Sequence, residues 1–316
     1  MNQFKCGFLK KNILKALLLL LAFPAWTQQG TGPDGTGTFK IDISGSIDWE
    51  KGEINTANSL DMASAGIRLP AGRIQGEEVL RGEYPRLLRP YILSLQADSS
   101  ATVEDLLQKR ELSLQELDDV IMEARKIPPS LSADLARITG RYALGLGRIS
   151  AALTRHSRAG DPPRPLIPAA AADYTGIVII ADTELPIHGR GSSSLAQPCL
   201  FPKIWDTEMN LIYDKNMADP GMLRSGERTM VRYAQRESIF RADPSGIDES
   251  LLPLVGSNPL RILARRVFGV VPTDPVIDKD DAMTIISTEN NRRLLREGRV
   301  AFILDGSVLK KSYTTP

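Results

Sequence analysis

The 316-residue chain predicts an α+β fold: two small mixed sheet-and-helix domains, residues 39–156 and 174–308, joined by a Pro/Ala-rich linker at 157–173. Three features carry that expectation. Phe39, Ile41, Ile43, Ile47 and Trp49 alternate with Lys40, Asp42, Ser44, Ser46 and Asp48, the period of two that marks a strand with one buried face. "GIVIIA" at 176–181 is an unbroken apolar run, which fits a strand covered on both faces. Between the two, "SRAGDPPRPLIPAAAADY" holds four prolines within seven residues, a composition that disfavours helix and favours an extended connection.

The N-terminal stretch is set apart from the fold. In "MNQFKCGFLKKNILKALLLLLAFPAWTQQ", Lys5, Lys10, Lys11 and Lys15 precede an apolar run from Ala16 to Phe23, and Ala25 and Thr27 are small residues flanking a cut before Gln28. These are the parts of a secretory signal, and the apolar run falls short of the roughly 20 residues that span a bilayer. Residues 1–27 are therefore read as a signal peptide and the chain as exported. Cys6 lies upstream of the apolar run, on the wrong side for lipid attachment, so after cleavage only Cys199 remains and no intrachain disulfide can form. Residues 28–38, with "GTGPDGTG", read as a Gly-rich tether. The chain has 39 basic and 38 acidic side chains, and loss of the four signal lysines leaves 35 against 38. That near-neutral balance, with no basic stripe, argues against nucleic acid as a partner.

In the first domain, "EKG" at 50–52 offers a turn in which Gly52 takes positive φ, and Ile54 begins a return strand. Leu80, Tyr84, Leu87, Leu88, Tyr91, Ile92 and Leu95 recur every three or four positions and define a helical stripe, with a kink or break expected at Pro85 and Pro90. Thr102 with Asp105, and Ser113 with Glu116, have capping-box spacing and open two short helices. "PPS" at 128–130 reads as a helix terminator, "ADLARITGRYAL" as a strand, and "GRISAALTR" as either strand or helix.

In the second domain, "FPKIWDTEMNLIYD" reads as a hairpin turning between Asp206 and Asn210, and "NPLRILARRVFGV" and "AMTIIS" as strands. Ser287 can cap a helix over 288–297, Gly298 suits its C-terminal cap, and "RVAFILD" returns as a strand. Residues 309–316 read as a tail.

Candidate chemistry is sparse. Asp182 and Glu184 lie just past a strand end, where they could act as acid and base or hold a metal with Asp206. The plainer reading makes Asp182 a turn former through its side chain. "HGRGSSS", with His188 at one end and Ser194 at the other, has the glycines and hydroxyls of a phosphate cradle but no following helix, and reads more simply as a surface loop. Two histidines, His156 and His188, are too few for a His-rich zinc site, and no G-x-S-x-G nucleophile elbow occurs. "SVLK" at 307–310 matches S-x-x-K but sits in the tail. "DKDDA", with Asp278, Asp280 and Asp281, would suit a hard cation but lacks the longer spacing of a calcium loop, and reads as a solvated acidic turn.

"IDWEKGEI", then a helix, then "ADSSATVEDLL" and a second helix resemble the pattern of the outer-membrane lipoprotein family that includes the flagellar basal-disk protein FlgP, over roughly residues 47–146. "YTGIVIIAD", "FPKIWDTEMNLIY", "SNPLRILA", "AMTII" and "GRVAFILD" look like the module often attached to such domains in exported bacterial proteins. The resemblance implies a non-catalytic envelope protein, periplasmic or outer-membrane associated, with relatives that build rings around the flagellar motor, and it supplies no catalytic residues.

The expectation is therefore a scaffold or assembly factor that is not an enzyme. It would have no catalytic, metal or cofactor site and would contact envelope proteins or itself, with peripheral membrane attachment compatible with the sequence. The alternative is an exported enzyme or small-ligand binder using Asp182, Glu184 and the 188–194 loop.

Overall fold

The structure, a computed structural model, describes residues 29–31, 38–68, 71–240 and 246–314. The signal segment and most of the tether lie outside them. Within these residues the fold is α+β in two domains, as the patterns predict.

The first domain pairs an antiparallel sheet with four helices among the described residues. β1 (Gln29–Thr31) and β2 (Thr38–Asp48) pair, so the tether contributes a strand at one end. β3 (Glu53–Asp61) returns through the turn in which Gly52 has φ +68°. α1 (Arg73–Leu93) is one helix that runs through Pro85 and Pro90, so of the kink or break expected there the break does not occur. Each proline removes a helix hydrogen bond and costs about 3 kcal/mol. Burying Leu80, Tyr84, Leu87, Leu88 and Ile92 is worth about 1.5–3 kcal/mol apiece, so packing wins.

α2 (Val103–Gln108) and α3 (Leu114–Met122) each open with the predicted capping box, on Thr102 with Asp105 and on Ser113 with Glu116. "PPS" does not end α3. It lies within β4 (Arg125–Leu131), an edge strand whose register slips between Ile127 and Ser130, where the ladder tolerates prolines that donate nothing. β5 (Arg137–Gly145) pairs between β3 and β4, and the ambiguous segment after it is helix α4 (Leu146–Ala152).

The linker has no helix or strand, yet it is strapped to the second domain rather than spacing it away. Buried Asn291 accepts from the Tyr174 backbone N–H at 3.1 Å and donates to the Ala172 carbonyl at 3.0 Å, while Ser287 accepts from the Ala169 N–H at 3.0 Å.

The second domain begins with β6 (Ile177–Ala181), wholly buried as its unbroken apolar run predicts. β7 (Leu185–Pro186) and β8 (Ser193–Ser194) make a small hairpin, and β9 (Ile204–Asp206) and β10 (Leu211–Tyr213) make the predicted one. α5 (Pro220–Arg224), β11 (Arg232–Ala234), α6 (Leu252–Val255), β12 (Leu260–Leu263), β13 (Arg266–Phe268) and β14 (Asp274–Ile277) follow.

"AMTIIS" is not a strand but the body of α7 (Lys279–Ser287). Its β-branched content suggested extension, but Ala282, Ile285 and Ile286 fall on one helical face and Asp280 and Asp281 occupy the first turn, where the helix dipole favours acids. α8 (Glu289–Arg296) is capped by Thr288, one residue later than expected, and Gly298 past its end has φ +61°. β15 (Val300–Leu304) completes a parallel sheet in the order β11-β15-β6-β12, beside a mixed sheet β10-β9-β14-β13.

After α9 (Gly306–Leu309) the chain does not end in a tail. β16 (Lys310–Thr314) crosses back and pairs antiparallel with Ser44–Asp48 of β2 in the first domain. Tyr313 stacks on Tyr91 at 3.8 Å, and the Trp49 N–H donates to the Leu309 carbonyl at 2.9 Å. One continuous apolar core includes Ile54, Leu88 and Leu146 of the first domain and Ile177, Tyr233 and Phe302 of the second.

Truncating Tyr313 to Ala is expected to cost about 2–3 kcal/mol for a large aromatic that packs in part. At about 2–4 °C per kcal/mol the melting temperature should fall by roughly 4–12 °C. Calorimetry should show one transition shifted as a whole. A second transition left at its wild-type temperature would mean that the two domains unfold independently.

Candidate functional site

In open sheets of parallel strands, ligands bind beyond the carboxyl ends. Here β6 is followed by Asp182, whose side chain is only 9% exposed and is held by Arg236, with one of the two contacts at 3.1 Å to Nη2. Asp182 thus forms an ion pair across the sheet end rather than a turn through its own loop, and the pairing pushes the Arg236 guanidinium above its usual value. Gln235, past the end of β11, donates at 2.9 Å to Glu50 of the first domain. Asp305, after β15, caps α9 by accepting from the Ser307 N–H at 2.9 Å, so the serine of "SVLK" serves a cap.

The other sequence candidates are dispersed. Glu184 is exposed. Asp206 is buried and shapes the β9–β10 turn by accepting from the Glu208 and Asn210 N–H groups at 2.9 and 2.8 Å. "HGRGSSS" closes the β7–β8 hairpin, with the His188 N–H bonded to the Val267 carbonyl at 2.7 Å and Arg190 to the Val270 carbonyl at 3.3 Å, while residues 189–193 are exposed. Asp278 pairs with Arg265 at 2.6 Å. Burial, followed by the charge of Asp278, pushes the Asp281 carboxyl up. Among the described residues no three His, Cys, Asp or Glu side chains come together as a metal site.

Of two further buried groups, the sequence marks Cys199 as the one cysteine left after cleavage and does not single out Asp274. Asp274 accepts from the Lys203 N–H at 3.1 Å, Thr273 Oγ1 at 2.9 Å and Trp205 Nε1 at 3.3 Å, and burial pushes its pKa up despite those donors. Cys199 is fully buried and its thiol is pushed up by burial, which keeps it a protonated packing group rather than a nucleophile.

The sites the sequence did not reveal converge at the domain junction. A cleft of about 450 Å³ is lined by Trp49, Lys51 and Gly52 from the β2–β3 turn, by Arg228 and Arg232 before and within β11, and by Arg299 before β15, with Pro253 and Leu254 of α6 closing it. None of Asp182, Glu184, Asp206 or the 188–194 loop lines it. The basic residues come from three separate segments, so no local spacing announces them.

Fold and cleft define a two-module α+β protein whose modules are joined through a common core. Residues 40–152 match the family model described as Treponema pallidum Tp0624, N-terminal domain, and residues 176–306 match the model described as Treponema pallidum Tp0624, second domain. The modules thus follow the order of that protein's first two domains. No curated protein matches the chain.

Electrostatics where the linker meets α8 give a pH prediction. Glu289 bonds Arg296 and, at 2.7 Å, Arg292, and these guanidinium groups hold its carboxyl down at about 2. A carboxyl depressed in the folded state contributes stability that is complete above its unfolded value near 4.5 and is lost as pH falls toward 2. Glu289→Gln should therefore lower the melting temperature at pH 7 and close the gap to wild type between pH 4.5 and 2. A gap that is constant with pH in thermal melts would refute the ion pairing.

Proposed function

We propose that this chain is a non-catalytic, exported envelope protein that acts as a scaffold or assembly factor. The observation that carries the reading is the fusion of two modules into one body by a shared core and a returning strand, an arrangement suited to holding contact surfaces at fixed spacing. The acids that could have made a catalyst support it: Asp182 is tied to Arg236, Asp206 to its turn and Asp278 to Arg265. Export is supported by the charge and hydropathy pattern of residues 1–27. Among the described residues no helix is long and apolar enough to cross a membrane. The contact surfaces would be strand edges such as β4 and the exposed helix faces. An outer-membrane or flagellar association extends the reading and is supported by the order of motifs over residues 47–146.

A second reading, an exported small-ligand binder, is favoured by the junction cleft rather than by Asp182, Glu184 or the 188–194 loop.

The test is made in cells. A tagged chain should fractionate with the envelope, and photo-crosslinkers placed along β4 should trap one reproducible envelope protein or a second copy of the chain. Asp182→Asn should leave both results unchanged and lower stability by no more than about 1 kcal/mol, as expected for loss of one ion pair with an exposed partner. Cytoplasmic fractionation, or loss of function in a stably folded Asp182→Asn variant, would overturn the proposal.

A further inference from the structure

Among the described residues, the four cationic groups of the junction cleft have no carboxylate within 4.0 Å, unlike several other arginines of the chain. Arg73, Arg86, Arg89, Arg137, Arg155 and Arg265 each meet a carboxylate within 4.0 Å. In the cleft, Arg228 donates to two backbone carbonyls, Gly298 at 2.7 Å and Glu297. Arg299 has a buried Nε with no hydrogen-bond partner. Among the described residues, the guanidinium of Arg232 and the ammonium of Lys51 make no hydrogen bond or ion pair. Two carboxylates line the same space, but that of Glu297 is directed to Arg293 at 3.6 Å.

Four cations therefore face two acids in a partly enclosed space, and burial together with the charge of Arg299 pushes the Arg228 guanidinium below its usual value. A guanidinium taken partly out of water without a partner is costly, and an oxyanion removes that cost by accepting from its planar fork. Beside Thr229 and Ser250, Pro253 and Leu254 of α6 add an apolar wall that an anion alone would not use. A volume of about 450 Å³ is that of a small-molecule site.

We infer that the cleft between the β2–β3 turn and the β11 and β15 strands binds a small molecule carrying a carboxylate or phosphate, gripped by Arg232 and Arg299, with its apolar part against Pro253 and Leu254. The inference goes beyond the scaffold reading and does not depend on it. Because the cleft is walled by both domains, the ligand would also hold them together.

The test uses the full chain at low ionic strength with two probes, inorganic phosphate and benzoate, the second a carboxylate on an apolar ring. At least one should raise the melting temperature saturably, by several degrees once well above its dissociation constant. Benzoate outperforming phosphate would place the apolar wall in the site, and the reverse would assign a phosphate ligand. Arg232→Met and Arg299→Met should each weaken binding at least about tenfold, whereas Arg236→Met should not. Without ligand, Arg299→Met should melt at or above wild type, since it removes an unpaired charge. A structural arginine would give the opposite result.

No saturable shift by either probe up to about 20 mM, weaker than the millimolar range, would overturn the inference, as would undiminished binding in the Arg232→Met, Arg299→Met double variant. Should the variants fail to fold, the side-chain Nε–Hε NMR signals of the wild type decide: perturbation of Arg232 and Arg299 supports the site, and perturbation confined to other arginines refutes it.

Discussion

The structure depends on a single antiparallel pairing, Lys310–Thr314 against Ser44–Asp48, which joins the last described residues of the chain to its first long strand. Without it, β2 would present an open edge over half its length, a template for unwanted pairing. With it, the β2–β3 turn is held beside the second domain: Trp49 meets Tyr233 edge to face at 5.7 Å, and Glu50 receives the amide of Gln235. Gly45 makes the closure feasible. A Cβ there would lie 2.3 Å from the Asn55 carbonyl oxygen and 2.8 Å from the Tyr313 hydroxyl, so any side chain would push β16 off its stacking partner Tyr91.

Other contacts act in the same direction. Leu200 and Phe201 donate backbone hydrogen bonds to Gln96 and Ala97, and Val271 to Ser99, so the loop after α1 is fixed to the second domain by main-chain bonds that no surface substitution can remove. Gly147 lets α4 approach so closely that a Cβ would lie 2.6 Å from the Gly226 carbonyl oxygen. The result differs from two domains on a flexible spacer. Interfaces between loosely linked domains are usually small and polar, whereas here the apolar core runs through the junction without interruption.

Local structure was legible in the sequence wherever local chemistry decides it. The period-two face of β2, the unbroken run of β6 and the two capping boxes all form as patterned, because alternation, double burial and cap hydrogen bonds are each satisfied within a few residues. The expectations failed where distant packing overrides propensity. α1 runs through two prolines because its buried face outweighs them, "AMTIIS" is helical because its apolar spacing fits a helix face, and "PPS" sits in a strand because that strand is an edge. The return of β16 was beyond reach for the same reason: its partner lies more than 260 positions earlier, and "KKSYT" carries no marker of it. Among the site candidates, Asp182 was noticed for its place at a strand end, but its partner Arg236 could be identified only once β11 was set two strands away in the parallel sheet.

The cleft follows from the same closure. Drawing the β2–β3 turn alongside the edge strand β11 buries Trp49 and Tyr233, but the turn is too narrow to cover the approach to β11 and β15, where Arg232 and Arg299 begin or precede their strands. A fold selected only for stability would be expected to place apolar or paired residues there, since replacing an unpartnered guanidinium by an apolar side chain of similar volume is often stabilising. Arg299 instead keeps a buried, unpartnered Nε beside Arg228, a repulsive arrangement that Glu227 and Glu297 offset only in part. Other charges are paired, as where Arg89 forks onto Asp118 and Glu289 engages two arginines, although Arg86 and Arg292 each also keep one buried nitrogen without a partner. An oxyanion in the cleft would supply the partner that Lys51 and Arg232 lack, and because both domains wall the cleft, occupancy and closure would reinforce one another.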